Sequence, residues 1–176
     1  MLAAAVAAAT DPVHRRNLEV VLRHITCEVA GDIEGVLATL VPEPTYRIWG
    51  ASSSPGPRGG AEVRAFYEGL VASGKNRLEY RVSKVVVDDR NVVTEGEFHF
   101  VYPGTALAGR HAAHGEAVDP DGWYHVAYQA LVVWPVDAGS GLLEGEDIYA
   151  GEVPRILARV GPGELAHLGP VSRAQV

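Results

Sequence analysis

Two long β-type segments joined by a tight polar turn restrict the fold of this chain more than any other feature. Residues 77–87 and 92–102 are rich in β-branched and aromatic side chains, and the polar residues 88–91 lie between them. A short polar turn between two such runs predicts an antiparallel hairpin. Two more predicted strands follow, at 123–134 and 142–149. The second half of the chain therefore predicts a meander of four antiparallel strands.

The first half of the chain carries helix signals instead. Asp11 followed by Pro12 predicts a helix start, because aspartate caps a helix N-terminus and proline fits its first turn. Apolar residues recur at helical spacing up to Val29, and a short second helix and a third over 61–72 follow. One predicted strand, residues 45–50, separates the last two helices. We therefore expect an α+β fold, with three N-terminal helices packed on one face of a curved antiparallel sheet.

Composition indicates one domain and argues against several classes of partner. The chain has 176 residues, 47% of them apolar and 21% charged, which suits a single hydrophobic core. Its net charge of −7 argues against nucleic acid or an anionic membrane, because both attract basic surfaces. No run reaches the roughly 18 apolar residues of a membrane span. The single cysteine, Cys27, allows no intrachain disulfide and fits the cytoplasm, where we expect the protein.

We expect the domain to occupy residues 13–160, with an extension at each end. Residues 1–12 are Ala-rich and indicate a flexible helical arm rather than a signal peptide, because no basic region precedes the apolar run. Residues 154–160 predict a last short helix. The Gly- and Pro-containing tail at 161–176 is expected to be mobile.

Four segments, taken in their order and spacing, follow a known pattern. They are Ala30-Gly31-Asp32, the GGAEVRAFY stretch at 59–67, Glu97 to Tyr102, and Gly141 to Tyr149. The pattern resembles the nuclear transport factor two-like superfamily, and within it the SnoaL-like polyketide cyclases and the ketosteroid isomerases. This resemblance implies a cone-shaped fold whose sheet and helices enclose one deep apolar pocket. It also implies a homodimer through the outer sheet face, where Leu131 and Val133 would form an apolar patch.

The predicted strand at 142–149 carries acidic residues on both of its faces. Successive side chains of a strand alternate between faces. The two sets are Gly145, Asp147 and Tyr149 on one face, and Glu144, Glu146 and Ile148 on the other. The segment alone therefore does not say which face is buried. In SnoaL-like cyclases an aspartate on the final strand is a general acid/base, and Asp147 falls on that position. The resemblance thus implies that Asp147 and Tyr149 face the pocket and that Glu146 faces outward.

Asp147 is the leading candidate for a catalytic acid/base. Phe66, Phe98, Phe100 and Trp134 are expected to wall the pocket and bind substrate. An acid among such rings loses solvation, which raises its pKa and suits it to proton transfer near neutral pH. The alternative is an exposed acid at a sheet edge.

One histidine and three tyrosines complete the candidate set. His24, on the first long helix, is expected to form a proton-transfer pair with the aspartate; the alternative is a histidine bonded to backbone or solvent. Tyr128 is expected to polarise a substrate carbonyl, and Tyr46 and Tyr149 to bind substrate. The alternative for each tyrosine is a core aromatic whose hydroxyl finds another partner.

The resemblance also has departures from the family patterns. Ketosteroid isomerases use a tyrosine on the first helix and an aspartate on the first strand, and those positions hold His24 and Ile48 here. The proton shuttle of that family is therefore missing. In limonene epoxide hydrolase-like members a tyrosine on the first strand helps to hold a water molecule, and Tyr46 matches it. The asparagine that shares this task is again replaced by Ile48.

The remaining histidines are weaker candidates. His99 shares a strand face with glutamates and lies opposite the phenylalanines, so the pleat sends it outward. His111 and His114 lie in a long irregular insertion, and their spacing fits no zinc pattern, so we predict no metal site and no cofactor. A dehydratase that uses His99 or His125 would require the opposite register.

The sequence thus favours a cofactor-independent acid/base enzyme that acts on a hydrophobic, oxygenated small molecule such as a polyketide or a steroid- or terpenoid-like ketone. Cyclisation, isomerisation and loss of water all fit proton abstraction next to a carbonyl. The alternative is a non-catalytic module of the same fold that binds a small molecule or a protein. An open pocket with a buried acid favours the enzyme, whereas a pocket filled by its own side chains favours the module.

Overall fold

A computed structural model describes residues 1–50, 55–110, 112, 115–161 and 163–169 of the chain. Its helices are α1 (Leu2–Ala8), α2 (Pro12–Ala30), α3 (Ile33–Leu37), α4 (Gly59–Ser73) and a short 3-10 helix at Gly104–Leu107. Its strands are β1 (Leu40–Gly50), β2 (Glu79–Val87), β3 (Asn91–Pro103), β4 (Trp123–Pro135), β5 (Leu143–Ala150) and β6 (Arg155–Val160). None of the helices in these ranges is long and apolar enough to cross a membrane.

The ends of the first helices follow the capping signals of the sequence. The Asp11 carboxylate accepts hydrogen bonds from the backbone N–H groups of Val13 and His14 at the start of α2. Gly31 ends α2 with a φ of 72°, a left-handed conformation that glycine adopts without steric cost. The Asp32 carboxylate then accepts from the N–H of Gly35 and begins α3. The helix start predicted at Asp11 is confirmed.

The six strands form one sheet in the order β1-β5-β4-β3-β2, with β6 also paired to β4. Strands β2 to β5 pair as the predicted antiparallel meander. The α+β class with a curved sheet against the helices is confirmed, although β1 joins β5 in parallel and makes the sheet mixed. The last predicted helix is wrong, because residues 155–160 form β6, whose backbone pairs with residues 123–127 of β4.

The main core lies between the helices and the inner face of the sheet. Leu18 and Val21 of α2 and Val63 of α4 are buried in it, and they pack with Val132 and other inner residues of the strands. Leu2 of α1 is also buried, and so is Leu168, which follows β6. The boundaries of the domain and the mobility of its two extensions stay predictions, and residues 170–176 lie outside the described part.

Strand β5 has an irregularity that bears on the functional site. Gly145 has a φ of 139°, and a Cβ there would lie 1.9 Å from the backbone oxygen of Thr45 in β1. The pairing of the two strands is also irregular between Leu40 and Thr45. Leu143 and Glu146 are consequently both buried, although regular alternation would send them to opposite faces.

Candidate active site

A cavity of about 440 Å³ lies between helices α2 and α4 and the inner face of the sheet. Most of its lining is apolar, and much of it is aromatic. The aromatic members are Phe66, Tyr67, Tyr80, Phe98, Phe100, Tyr102, Tyr128 and Trp134. The rings of Tyr80 and Phe98 stack with centroids 4.1 Å apart, and the ring of Tyr128 is nearly parallel to that of Phe100. An open, largely apolar cavity of this size suits a small hydrophobic molecule.

Most of the predicted substrate-binding residues line this cavity. Phe66 comes from α4, Phe98 and Phe100 come from β3, and Trp134 comes from β4. Tyr128 of β4, predicted as the catalytic phenol, lines it as well. The register that sends Tyr128 inward and His125 outward is the one the structure has. Burial raises the pKa of the Tyr128 phenol, so it keeps its proton and remains a hydrogen-bond donor near neutral pH.

On strand β5, the acid that faces the cavity is Glu146. Its Oε1 lies 3.1 Å from Nε2 of His24, and the Tyr67 hydroxyl donates a hydrogen bond to the same oxygen at 3.1 Å. The Tyr46 hydroxyl is 2.8 Å from that of Tyr67. Glu146 and Tyr67 line the cavity, whereas His24 and Tyr46 are completely buried behind them. We call Glu146, His24, Tyr67 and Tyr46 the inner cluster.

The backbone around Thr39 determines which nitrogen of His24 carries a proton. The Thr39 hydroxyl donates its hydrogen to the carbonyl oxygen of Val36, at 2.5 Å. Its oxygen therefore accepts from Nδ1 of His24, which is 2.6 Å away. A neutral His24 consequently has its hydrogen on Nδ1 and a free lone pair on Nε2, directed at Glu146 and Tyr67.

This arrangement requires a proton between His24 and Glu146. An unprotonated Nε2 and an ionised carboxylate 3.1 Å apart would repel each other in a buried site. The pair must therefore exist as imidazolium and carboxylate, or as imidazole and carboxylic acid. Burial raises the pKa values of Tyr46 and Tyr67, and the charge of Glu146 raises them further, so both phenols stay protonated. The inner cluster thus holds a proton that can move between two groups.

The structure places Asp147 and Tyr149 on the outer face, opposite to the face that the sequence analysis assigned to them. Asp147 accepts a hydrogen bond from Nη1 of Arg47 at 2.8 Å, and its side chain is 21% exposed. The Tyr149 ring stacks on Trp49, and both rings are about half exposed. The reason lies in the parallel pairing with β1, which sets Arg47 beside Asp147 and Ile48 beside Ile148. Asp147 therefore cannot form the expected pair with His24.

Glu28 is a second acid of the cavity that the sequence analysis missed. It is half-buried, lies one helical turn after His24 on α2, and lines the cavity wall. Burial raises the pKa of its carboxyl to about 8, and the negative charge of Glu146 contributes to this rise. The sequence signal was the i, i+4 spacing of His24 and Glu28, which puts both side chains on one helix face.

His24, Glu28 and Glu146 could also supply ligands to a divalent metal ion. Each offers one donor atom, and these atoms all lie within 4.8 Å of one another. Ligands of a zinc ion lie about 2.0–2.2 Å from the metal, so no two of them are more than about 4.4 Å apart. Nε2 of His24 and Oε1 of Glu146, which are 3.1 Å apart, lie within that limit. His111 and His114 lie outside the described residues.

A second pair of histidines lies on the outer face of the sheet. His99 is 1% exposed, and its Nδ1 is 2.8 Å from Nε2 of His125. Its Nε2 lies 3.1 Å from a carboxylate oxygen of Glu97, but the two groups do not form a hydrogen bond. Burial lowers the pKa values of both imidazoles. The prediction that His99 points away from the cavity is confirmed.

Comparison with known proteins agrees with this fold. Residues 21–134 match the sequence model of the SnoaL-like domain. Among solved structures, the epoxide hydrolase/cyclase-like enzyme SalBIII, linked to pyran ring formation in the polyether salinomycin, aligns with a TM-score of 0.59 at 12% identity. The alignment covers 81% of this chain and 96% of that one.

Two further solved structures have the same fold. A SnoaL-like polyketide cyclase from Jannaschia sp. CCS1 aligns with a TM-score of 0.59 at 19% identity, over 81% of this chain and 90% of that one. RV0760c from Mycobacterium tuberculosis, in complex with estradiol-17beta-hemisuccinate, aligns with a TM-score of 0.54 at 16% identity, over 78% and 94%. The search of curated proteins found no match.

Proposed function

The chain belongs to the SnoaL-like domain family, and from that premise we propose that it is a cofactor-independent acid/base enzyme. Its substrate would be a hydrophobic, oxygenated small molecule such as a polyketide or a steroid- or terpenoid-like ketone. The observation that carries the proposal is the Glu146 carboxyl at the wall of an apolar cavity, bonded to a buried histidine of fixed tautomer. The similarity of the fold to the epoxide hydrolase/cyclase-like SalBIII and to the SnoaL-like Jannaschia protein supports it.

In the proposed reaction Glu146 removes a proton from the carbon next to a substrate carbonyl. The electron pair of the broken C–H bond moves to the carbonyl oxygen, and the phenol hydroxyl of Tyr128 stabilises the resulting enolate by a hydrogen bond. His24 does not line the cavity, so it acts as a positioning residue that shares the proton with Glu146. Return of the proton to another atom gives isomerisation. Attack by the enolate carbon on a second carbonyl gives ring closure: the π electrons of that carbonyl move to its oxygen, which takes the proton back from Glu146.

Two neighbouring acids give a matched test of this proposal. Glu146→Gln removes the base but retains most of the side-chain volume, and Asp147→Asn makes the same chemical change on the outer face. Turnover of ketone substrates from a polyketide and steroid panel should fall about 10²–10⁴-fold in the first variant, the usual contribution of a general base. It should change less than about threefold in the second. Equal loss in both variants, or in the second alone, would contradict the proposal.

A binding module without catalysis is the second candidate, and one observation favours it. Both ring nitrogens of His24 already have partners, so the inner cluster is also explained as a structural network. The RV0760c complex gives an example of the fold with a steroid derivative bound. Under this alternative, ligands bind to the cavity, no product forms, and Glu146→Gln changes affinity without any change in ligand chemistry.

We also propose a homodimer, formed through the outer sheet face, in the cytoplasm. The stacked Trp49 and Tyr149 are 50% and 44% exposed, and Leu131 lies beside Tyr149 in the sheet. Such a patch suits an interface. Multi-angle light scattering of the wild type and of Tyr149→Ser should show a dimer that weakens in the variant. A monomeric wild type would exclude the dimer.

A further inference from the structure

Glu28 is a carboxyl of the cavity wall that no other group neutralises. Within the described part of the chain it forms no hydrogen bond and no ion pair within 4.0 Å, whereas the third acid of the lining, Glu152, is bonded to Arg155. Lys75 is the basic residue of the lining, and it forms no ion pair with Glu28. A half-buried carboxyl without a partner favours any cation that can reach it.

Glu28 has no counter-charge of its own among the described residues. Glu146 lies close enough to raise the pKa of Glu28 by repulsion, and the nearest imidazole, His24, is already bonded to Glu146 and Thr39. The remaining polar groups facing this region are the protonated phenols of Tyr46, Tyr67 and Tyr128. The charge of Glu28 contributes to the raised pKa of each phenol. The phenols carry no positive charge, and a positive charge on His24 would be paired with Glu146 rather than with Glu28.

The rest of the wall is suited to a hydrocarbon body rather than to a bare ion. Rings from β3 and β4 lie side by side along it, and the cavity of about 440 Å³ is large enough for a compact polycyclic molecule. A metal ion would use none of this apolar surface.

We propose that the cavity takes a hydrophobic amine in its protonated form, with the ammonium group against Glu28 and the hydrocarbon body against the aromatic wall. This inference rests on the proposed function, because it narrows the substrate class to oxygenated molecules that also carry an amine. The ammonium donates a charge-assisted hydrogen bond to the carboxylate. Glu146 then remains free to act on the oxygenated part of the same molecule.

Binding of the ammonium must displace the proton that Glu28 otherwise holds. Below about pH 8 the empty site keeps that carboxyl protonated, so each bound amine releases one proton. The affinity for the amine should therefore rise as the pH is raised towards 8 and change little above it. A neutral ligand of the same shape should show no such dependence on Glu28.

The test uses two rigid probes of equal shape, adamantan-1-amine and adamantan-1-ol. Isothermal titration calorimetry at pH 8 should show the amine binding to the wild type at least about tenfold more tightly, a difference that corresponds to one charge-assisted contact. Glu28→Gln should abolish this preference and leave the affinity for the alcohol within about twofold. Glu19→Gln, the same change at an exposed site of α2, should behave as the wild type does.

Three outcomes would overturn the inference: equal affinity for the two probes, an amine preference that survives in Glu28→Gln, or no binding of either probe to folded wild type. Zinc binding that depends on Glu28, without an amine preference, would assign the site to a metal instead. The failure of this inference is distinguishable from failure of the proposed function. Equal probe affinities together with a turnover loss in Glu146→Gln would refute only the amine, whereas an amine preference without any turnover would refute only the enzyme.

Discussion

Glu146 and Asp147 are successive residues of one strand, and the two faces of the sheet give them opposite environments. Glu146 is buried beside His24, which is inaccessible to solvent. The Oε1 of Glu146 lies next to Nε2 of His24 and also accepts a hydrogen bond from the Tyr67 hydroxyl. Asp147 pairs with Arg47, whose side chain is 47% exposed. The inner pair holds a mobile proton in an apolar site, whereas the outer pair is screened by water.

The same contrast separates the two most deeply buried histidines. His24 has a partner on each nitrogen and faces an acid that can accept its proton. His99, on the outer side, shares a hydrogen bond with His125 through Nδ1 but has none on Nε2 within the described residues, and its burial lowers its pKa. Burial alone therefore does not make a histidine a candidate for proton transfer. A buried histidine becomes such a candidate when the acid next to it also lines the cavity.

Removing His24 should have the largest effect on stability. His24→Ala leaves Glu146 and the Tyr67 hydroxyl buried without their shared partner, which we expect to cost about 3–5 kcal/mol of unfolding free energy. Asp147→Ala, which breaks the outer pair, should cost less than about 1 kcal/mol. Urea unfolding followed by circular dichroism measures both. A similar cost for the two variants would show that the inner and outer pairs do not differ.

Removing one hydroxyl from the inner cluster should have an intermediate effect. Tyr67→Phe deletes the donor to Glu146 and leaves the Tyr46 hydroxyl without its nearest partner, at an expected cost of about 1–3 kcal/mol. Tyr149→Phe is the control, because this ring is 44% exposed on the outer face, and it should change stability by less than about 0.5 kcal/mol. The denaturant concentrations at the unfolding midpoint, compared at an unchanged m-value, give the difference in stability.

The pH dependence of stability should have opposite signs on the two faces. The pKa of Glu28 rises from 4.5 to about 8 on folding, so the native state holds a proton that the unfolded chain has lost, and its contribution to stability decreases as the pH rises from 4.5 to 8. Burial lowers the pKa values of His99 and His125, so their contribution is lost as the pH falls below 6.5.

Single substitutions separate these two contributions. The unfolding temperature of Glu28→Gln should fall less steeply than that of the wild type as the pH rises from 4.5 to 8. The unfolding temperature of His99→Gln should fall less steeply as the pH decreases below 6.5. If Glu28→Gln changes the acid side instead, the assignment of the raised pKa to Glu28 is refuted.

The smallest effect is expected for the outer ion pair. Asp147→Asn should lower the unfolding free energy by at most about 1 kcal/mol, and the difference from the wild type should shrink in 0.5 M salt because exposed charges are screened. A larger loss that is insensitive to salt would mean that Asp147 has a buried role.

Much of the fold could be predicted from local signals. Helix caps at Asp11 and Asp32 and the turn at 88–91 act within a few residues, so the sequence around each is sufficient. The β6 strand could not be predicted in this way. Residues 155–160 become a strand because β4 offers them an unpaired backbone edge at 123–127.

The candidate site was predicted only in part, and for a specific reason. The alternation from Gly145 to Tyr149 was correct, but which face is buried depends on the distant strand β1. The parallel pairing of Ile48 with Ile148 buries the face that carries Glu146. The sequence carried two signals for the site. The apolar Ile148 shares a strand face with Glu146, which favoured burial of that face, and Glu28 follows His24 by four residues, which places both on one face of the helix.

The most direct test of the account is a nitrogen-15 NMR titration of the His24 imidazole. The account predicts a proton on Nδ1 throughout, a signal of Nε2 that shifts strongly in Glu146→Gln, and no change in Asp147→Asn. A neutral ring protonated on Nε2, or a response to Asp147→Asn but not to Glu146→Gln, would contradict the claim that Glu146 and His24 form the proton-sharing pair of the cavity.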